Sequence, residues 1–293
     1  MNSFTADLVL PLQAGCGEGP VWDARTQHLV SVDIIPGKIH VFDPTNRGLR
    51  TLEAGAMVGC IAPRASGQFV AALTTGLASV DLETGRVAPL HTPVEHDATR
   101  VRFNDGKCDP QGRLWAGTLS LHQVARAGAL YCFPNATSSE QMVTDVSVSN
   151  GLAWNQAGDT LYYIDSPLRR VDAFDFDGAT GRIASRRTVI DFSGPGLPDG
   201  CTLDDEGMLW IAHWEGGCVT RWDPRTGRPI ARVDVPAPRV TSCTFGDADR
   251  GTLYITSARN GLDAGQLGAF PDSGGLFACR PGVTGPSPVA FRG

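Results

Sequence analysis

Short apolar runs of one kind return six times along the chain: Leu29-Val-Ser-Val-Asp33, Phe69-Val-Ala-Ala-Leu73, Leu114-Trp-Ala-Gly-Thr118, Leu161-Tyr-Tyr-Ile-Asp165, Leu209-Trp-Ile-Ala-His213 and Leu253-Tyr-Ile-Thr-Ser257. Their β-branched and aromatic content predicts strands. A second apolar run follows each after a short polar break: Ile39 to Phe42, Leu77 to Leu82, Ala129 to Phe133, Val171 to Phe176, Val219 to Trp222 and Leu276 to Cys279. Turn chemistry comes next, as in Asp81-Leu-Glu-Thr-Gly85 and Asp223-Pro-Arg-Thr-Gly227, and then a further strand such as Ile230 to Val235. Before each unit stands a short segment that would be its innermost strand. Four antiparallel strands repeated six times predict an all-β fold, a six-bladed β-propeller with a continuous core over residues 1–293 as one domain.

Register along the repeat places one residue of each inner segment on a common ring around the central axis. These residues are Glu18, Gly59, Asp105, Asn150, Asp199 and Ser242, at successive separations of 41, 46, 45, 49 and 43 residues. Four of the six carry carboxylate or amide oxygens, which are ligands for hard cations, and each of those four is followed by Gly, which permits close backbone approach. Asn-Gly and Asp-Gly are also ordinary turn dipeptides. Four in phase around one axis outweigh that reading and predict a metal site, with Asp105 ranked equally beside Glu18, Asn150 and Asp199. The segment Asp7 to Leu12 precedes the first inner strand and is expected to pair near Val289 to Phe291, closing the ring and covering strand edges.

Composition narrows the function without adding chemistry. The chain has 293 residues, 42% hydrophobic and 19% charged, with 35 Gly and 20 Pro in keeping with many tight turns. A net charge of −6 without a run of Lys or Arg argues against a nucleic-acid partner. No stretch of about eighteen apolar residues predicts a membrane span, and without a basic leader a soluble, cytoplasmic monomer is expected. The eight cysteines form no CxxC pair, so buried, reduced thiols are expected rather than a disulfide frame or thiolate zinc site. A phosphate loop, a Gly-x-Ser-x-Gly elbow and an HExxH pair are all lacking.

Several motifs in order carry a family likeness: Gly17-Glu-Gly-Pro-Val-Trp22, Arg102-Phe-Asn-Asp-Gly-Lys-Cys-Asp109, Ser149-Asn-Gly-Leu-Ala-Trp154, Pro198-Asp-Gly200 and Thr241-Ser-Cys-Thr-Phe-Gly246. With them the chain resembles the SMP-30/gluconolactonase/regucalcin-like proteins over nearly its whole length. The resemblance implies one divalent cation at the top of the channel, held at positions matching Glu18, Asn150 and Asp199. It leaves Asp105 as a brace for the loop or the ligands and places Arg102 and Asn104 where the family contacts the sugar lactone or metal-bound water. Calcium, magnesium or manganese suits the all-oxygen set by hardness, and zinc or iron is implied by other family members.

A lactone is an internal ester, so its hydrolysis needs a polarised carbonyl, a deprotonated water and a stabilised oxyanion. An open-sided cation meets the first and third needs. Asp199 is the expected general base, with metal-bound hydroxide as the competing nucleophile. Arg102 offers guanidinium donors to sugar hydroxyls or to the product carboxylate. His122 and Trp214 follow second strands that run toward the channel mouth, and both are further candidates for substrate contact. His213 is as readily a hydrogen-bonded interior residue as a functional one. The expected reaction opens a pentono- or hexonolactone to its aldonic acid; phosphotriester hydrolysis and non-catalytic calcium binding are the alternatives.

Overall fold

The computed structural model describes all residues 1–293. It is a six-bladed β-propeller, and every blade carries four antiparallel strands in order outward from the channel. The inner strands are Gly17–Asp23, Val58–Pro63, Val101–Cys108, Ser149–Trp154, Leu197–Leu203 and Arg239–Gly246. The six apolar runs form the second strands: His28–Asp33, Phe69–Leu73, Leu114–Ser120, Thr160–Asp165, Leu209–Trp214 and Thr252–Ala258. Their side chains are buried because both faces of a middle strand pack against neighbouring blades. The outer strands, such as Gly48–Glu53, are largely exposed.

The core lies between blades and not within any one of them. Val30, Val32 and Ile39 of blade 1 pack with Ile61, Phe69 and Val80 of blade 2, and Trp210 and Val219 of blade 5 pack with Phe245 and Ile255 of blade 6. Two blades share a device for holding their indoles. Asp109 Oδ2 accepts from Trp115 Nε1 at 3.0 Å and from Arg113 Nε at 2.5 Å, and Asp204 Oδ2 accepts from Trp210 Nε1 at 2.9 Å and from Arg221 Nε at 2.7 Å. Each fully buried carboxylate is thereby paired and hydrogen-bonded.

The ring closes differently from the sequence expectation. Asp7–Leu10 pairs antiparallel with Leu276–Cys279 and supplies the fourth strand of blade 6. It does not meet Val289 to Phe291. The reason lies in Pro281, Pro286 and Pro288, which deprive the chain after Cys279 of ladder donors, so blade 6 has only three strands of its own and a free edge at Leu276–Cys279. The closing residues instead cross the far end of the channel, where buried Phe291 joins the core between blades 2 and 3. Asn2–Thr5 adds a second departure: it pairs parallel with Arg228–Asp234, so blade 5 has five strands and not four. Closure between blades 6 and 1 is completed by Thr241 Oγ1, which donates to Gly17 O at 2.5 Å.

Candidate metal centre

Each inner strand breaks register with its second strand near the ring position. The shifts fall between Glu18 and Val21, Val58 and Cys60, Phe103 and Gly106, Ser149 and Leu152, Pro198 and Cys201, and Val240 and Ser242. A β-bulge bends its strand and re-aims the side chain that it carries, and six at one level make the ring. The glycines serve this arrangement in two ways. Gly19 takes a left-handed conformation at φ +51°, whereas Gly106, Gly151 and Gly200 let neighbouring inner strands touch. A Cβ on Gly151 would lie 2.7 Å from Cys201 Sγ, and one on Gly200 would overlap the Ser242 side chain.

Two carboxylates fix the approach to the ring. Asp33 accepts from the backbone N–H groups of Gly15 and Cys16 at 2.9 and 2.8 Å, and Asp165 accepts from those of Ser147 and Val148 at 3.0 and 2.8 Å. Equivalent residues of blades 1 and 4 thus hold the loops that lead to Glu18 and Asn150.

Glu18, Asp105 and Asp199 are all buried, with relative exposures of 5%, 8% and 6%. Glu18 Oε2 accepts from Gly19 N, and Asp105 Oδ1 from Gly106 N, both at 2.7 Å. These bonds do not offset the loss of water. Burial first, then the charge of Asp105, pushes the Glu18 carboxyl up to about 8. Burial and the charges of Glu18 and Asp105 raise Asp199 well above the usual carboxylate range, and burial also raises Asp105. Asp105, which the family resemblance sets aside as a brace, is therefore electrically part of the cluster.

The two nearby cations direct their donors to neutral oxygens. Arg102 Nη1 donates to Phe103 O at 2.9 Å and to Asn104 Oδ1 at 2.8 Å, and Lys107 Nζ donates to Cys201 O at 2.7 Å. Lys107 reaches across the channel, from two residues past Asp105 to two residues past Asp199, and its charge favours the ionised forms of Glu18 and Asp105. Neither cation forms an ion pair with the cluster, and without one burial holds these carboxyls toward their protonated forms. No three His, Cys, Asp or Glu side chains are drawn together tightly enough to hold a metal by themselves. Glu18 and Asp199 offer carboxylate oxygens and Asn150 an amide oxygen, donors of the hard kind that suit a divalent cation. Below the ring a cavity of about 240 Å³ runs between the inner strands to Pro286–Val289; Asp105 and Lys107 line it, while Glu18, Asn150 and Asp199 do not.

Asn104 and Asn150 are joined to each other. Asn104 Nδ2 donates to Ser149 O at 2.8 Å and to Asn150 Oδ1 at 2.9 Å, and Asn150 Nδ2 donates to Ser166 Oγ at 2.7 Å. Ser166 and Lys107 escape sequence reasoning. The one signal for Lys107 is its place two residues beyond Asp105 on the inner strand. Ser166 has none, because it reaches the ring from the turn after a second strand.

The two peripheral candidates stay off the ring. His122 is exposed on a loop of the same face, with Nε2 3.1 Å from Thr99 O. Trp214 is half-buried, and the Arg239 guanidinium stands 4.9 Å from the centre of one of its rings. His213 is an interior residue: Nδ1 lies 3.2 Å from Pro195 O, Nε2 lies 2.6 Å from Thr220 Oγ1, and Phe192 packs on the ring.

Residues 16–259 match the family model described as SMP-30/Gluconolactonase/LRE-like region. The chain belongs to this family. Among relatives in the SMP-30/gluconolactonase/LRE-like family, regucalcin of Oryctolagus cuniculus is 38% identical over 300 residues, with all of both chains covered. A solved calcium-binding protein, regucalcin from Agrobacterium tumefaciens, superposes with a TM-score of 0.94 at 27% identity, covering 100% of this chain and 99% of that one. A luciferin-regenerating enzyme superposes with a TM-score of 0.91 at 31% identity, covering 98% and 99%. The family supports a lactonase-like or calcium-binding protein, and no helix is long and apolar enough to cross a membrane.

Proposed function

We propose that the protein is a metal-dependent sugar lactonase, opening a pentono- or hexonolactone to the aldonic acid. The observation that carries this reading is the buried cluster of Glu18, Asp105 and Asp199, which no cationic side chain pairs, set beside an amide oxygen on one open ring. Glu18, Asn150 and Asp199 would hold the cation. Their part would be to keep a cation where it could supply polarisation of the lactone carbonyl and stabilisation of the oxyanion.

The chain's own groups supply the rest. Asp199, a buried carboxylate beside the place the cation would take, would accept a proton from the attacking water and return it to the ring oxygen. Arg102 is bound through Nη1, which leaves Nη2 for a sugar hydroxyl or the new carboxylate. Asn104 directs its amide inward to Asn150 and orients the ring from its own side. His122 and Trp214, which stand off the ring, would act as outer substrate contacts. Burial of the carboxylates excludes water and strengthens each of these interactions.

The test is turnover of a panel of pentono- and hexonolactones by protein loaded in turn with calcium, magnesium, manganese, zinc and iron. Acceleration above spontaneous opening with at least one pair is expected, and its absence from every pair overturns the reading. The names of the regucalcin relatives favour a second reading, calcium binding without turnover. Tight calcium binding with no lactone turnover selects it.

A further inference from the structure

The side chains between Arg102 and Pro198 form one chain of hydrogen bonds with a fixed direction. Arg102 donates to Asn104 Oδ1, Asn104 Nδ2 to Asn150 Oδ1, Asn150 Nδ2 to Ser166 Oγ, and Ser166 Oγ to Pro198 O at 2.6 Å. Its ends permit no reversal, since a guanidinium only donates and a peptide carbonyl only accepts. Asn104, Asn150 and Ser166 are all buried, so water cannot substitute for a missing partner.

Ser166 fixes the Asn150 amide from the far side, as Asn104 does from the near side. Its single hydroxyl proton goes to Pro198 O, so toward Asn150 it offers a lone pair alone, and only the nitrogen end of that amide can face it. The oxygen end is thereby turned the other way, with one lone pair on Asn104 and the second free. An Asn150 amide rotated by half a turn would set its nitrogen against the Asn104 nitrogen and offer a cation a donor. We propose that Ser166 is a positioning residue for the metal centre, holding Asn150 in the one orientation that can ligate a hard cation; this rests on the metal-site reading above.

Ser166 is placed for the role by the repeat. It follows Asp165, whose carboxylate anchors the loop before Asn150, and opens the short 3-10 turn Ser166–Leu168. The Ser166 N–H donates to Val148 O at 3.1 Å, so one residue grips that loop by its backbone and the ring amide by its side chain. Through Pro198 O it also ties the ring position of blade 4 to the residue before Asp199. Groups that orient a metal-bound side chain typically change metal affinity when removed.

The experiment is a double-mutant cycle read by calorimetric titration with calcium alone. Ser166→Ala should weaken calcium binding by about 10- to 100-fold in the wild-type background. Asn150→Asp places an acceptor at both ends of the side chain and has no orientation to choose. In that background Ser166→Ala should change affinity by less than about threefold. Equal losses in both backgrounds, or no loss in the first, overturn the proposal while leaving the metal site standing. A wild-type chain that binds none of calcium, magnesium, manganese or zinc overturns the site and the proposal together. Should Ser166→Ala not fold, wild-type protein still decides. The Asn150 side-chain NH₂ signal, identified by its loss in Asn150→Asp, should be protected from solvent exchange, and fast exchange overturns the proposal.

Discussion

At the scale of single residues, burial decides which groups can do chemistry and which cannot. Asp199 and His213 are both buried, yet burial raises the proton affinity of the first and lowers that of the second. Asp199→Asn keeps an oxygen and removes the base, so kcat should fall by about 10²- to 10⁴-fold. Calcium affinity should fall far less, and kinetics beside calorimetry measures the two; equal losses would make Asp199 a ligand only. His213 makes a different prediction. Its Nδ1 must donate to Pro195 O, and Thr220 Oγ1, which accepts from Trp222 Nε1 at 2.6 Å, donates its one proton to Nε2. Burial, with a smaller contribution from the Arg232 charge, outweighs the bond to Pro195 O and lowers His213 to about 4 from 6.5. A depressed pKa gives stability that is full above pH 6.5 and is lost as pH falls toward 4, up to about 3 kcal/mol. Urea unfolding of the wild type and His213→Gln across that window should diverge in this sense, and parallel curves would remove His213 as the cause.

At the scale of elements, the inner strand is a short ladder interrupted on purpose, and glycine is what permits the interruption. Gly200→Ala brings a methyl onto the Ser242 side chain with Thr241 O 2.9 Å away, and overpacking of this kind costs about 1–3 kcal/mol. Ser242→Gly should restore part of that loss in the double variant, as coupled neighbours do, and a urea midpoint series checks it. Simple addition of the two effects would place the strain elsewhere. The strands themselves are legible in the sequence because a middle strand buries both faces and so repeats an apolar run, and the ring is legible because register survives six repeats. The bulges are not legible, since nothing in Ser149-Asn-Gly-Leu distinguishes a bulge from a turn until the second strand is paired with it. Ser166 and Lys107 stay hidden for a related reason. They act across the channel or between blades, and hydrophobic pattern reports burial, not which side chains converge. The misplaced closing strand follows from counting blade 6 as four strands of its own, although the prolines after Cys279 argue against that.

At the scale of the whole molecule, a ring of blades has no internal end to its core except where its two ends meet, and the two N-terminal strands serve that junction unequally. Asn2–Thr5 covers the outer edge of blade 5, which already has four strands, whereas Asp7–Leu10 is the only fourth strand that blade 6 has. Phe4, Ala6 and Leu8 pack against the core that blades 5 and 6 share. Removal of residues 2–5 should therefore cost the packing of Phe4, about 1–2 kcal/mol, and an exposed edge ladder whose partners water can satisfy. Removal of residues 2–10 should cost several kcal/mol and expose the edge at Leu276–Cys279 to pairing with other chains, seen as concentration-dependent association by light scattering. The metal centre should follow the second truncation and not the first. Blade 6 holds blade 1 through Thr241 Oγ1 on Gly17 O and through the bridge between Cys16 and Ala258, both next to Glu18. A blade 6 frayed at its outer edge loosens that junction and with it the carboxylate. Calcium affinity should then drop in the longer truncation while the shorter one keeps the wild-type value. Equal affinities in the two would mean that the ring is held by its inner strands alone, with the outer strands serving solubility only.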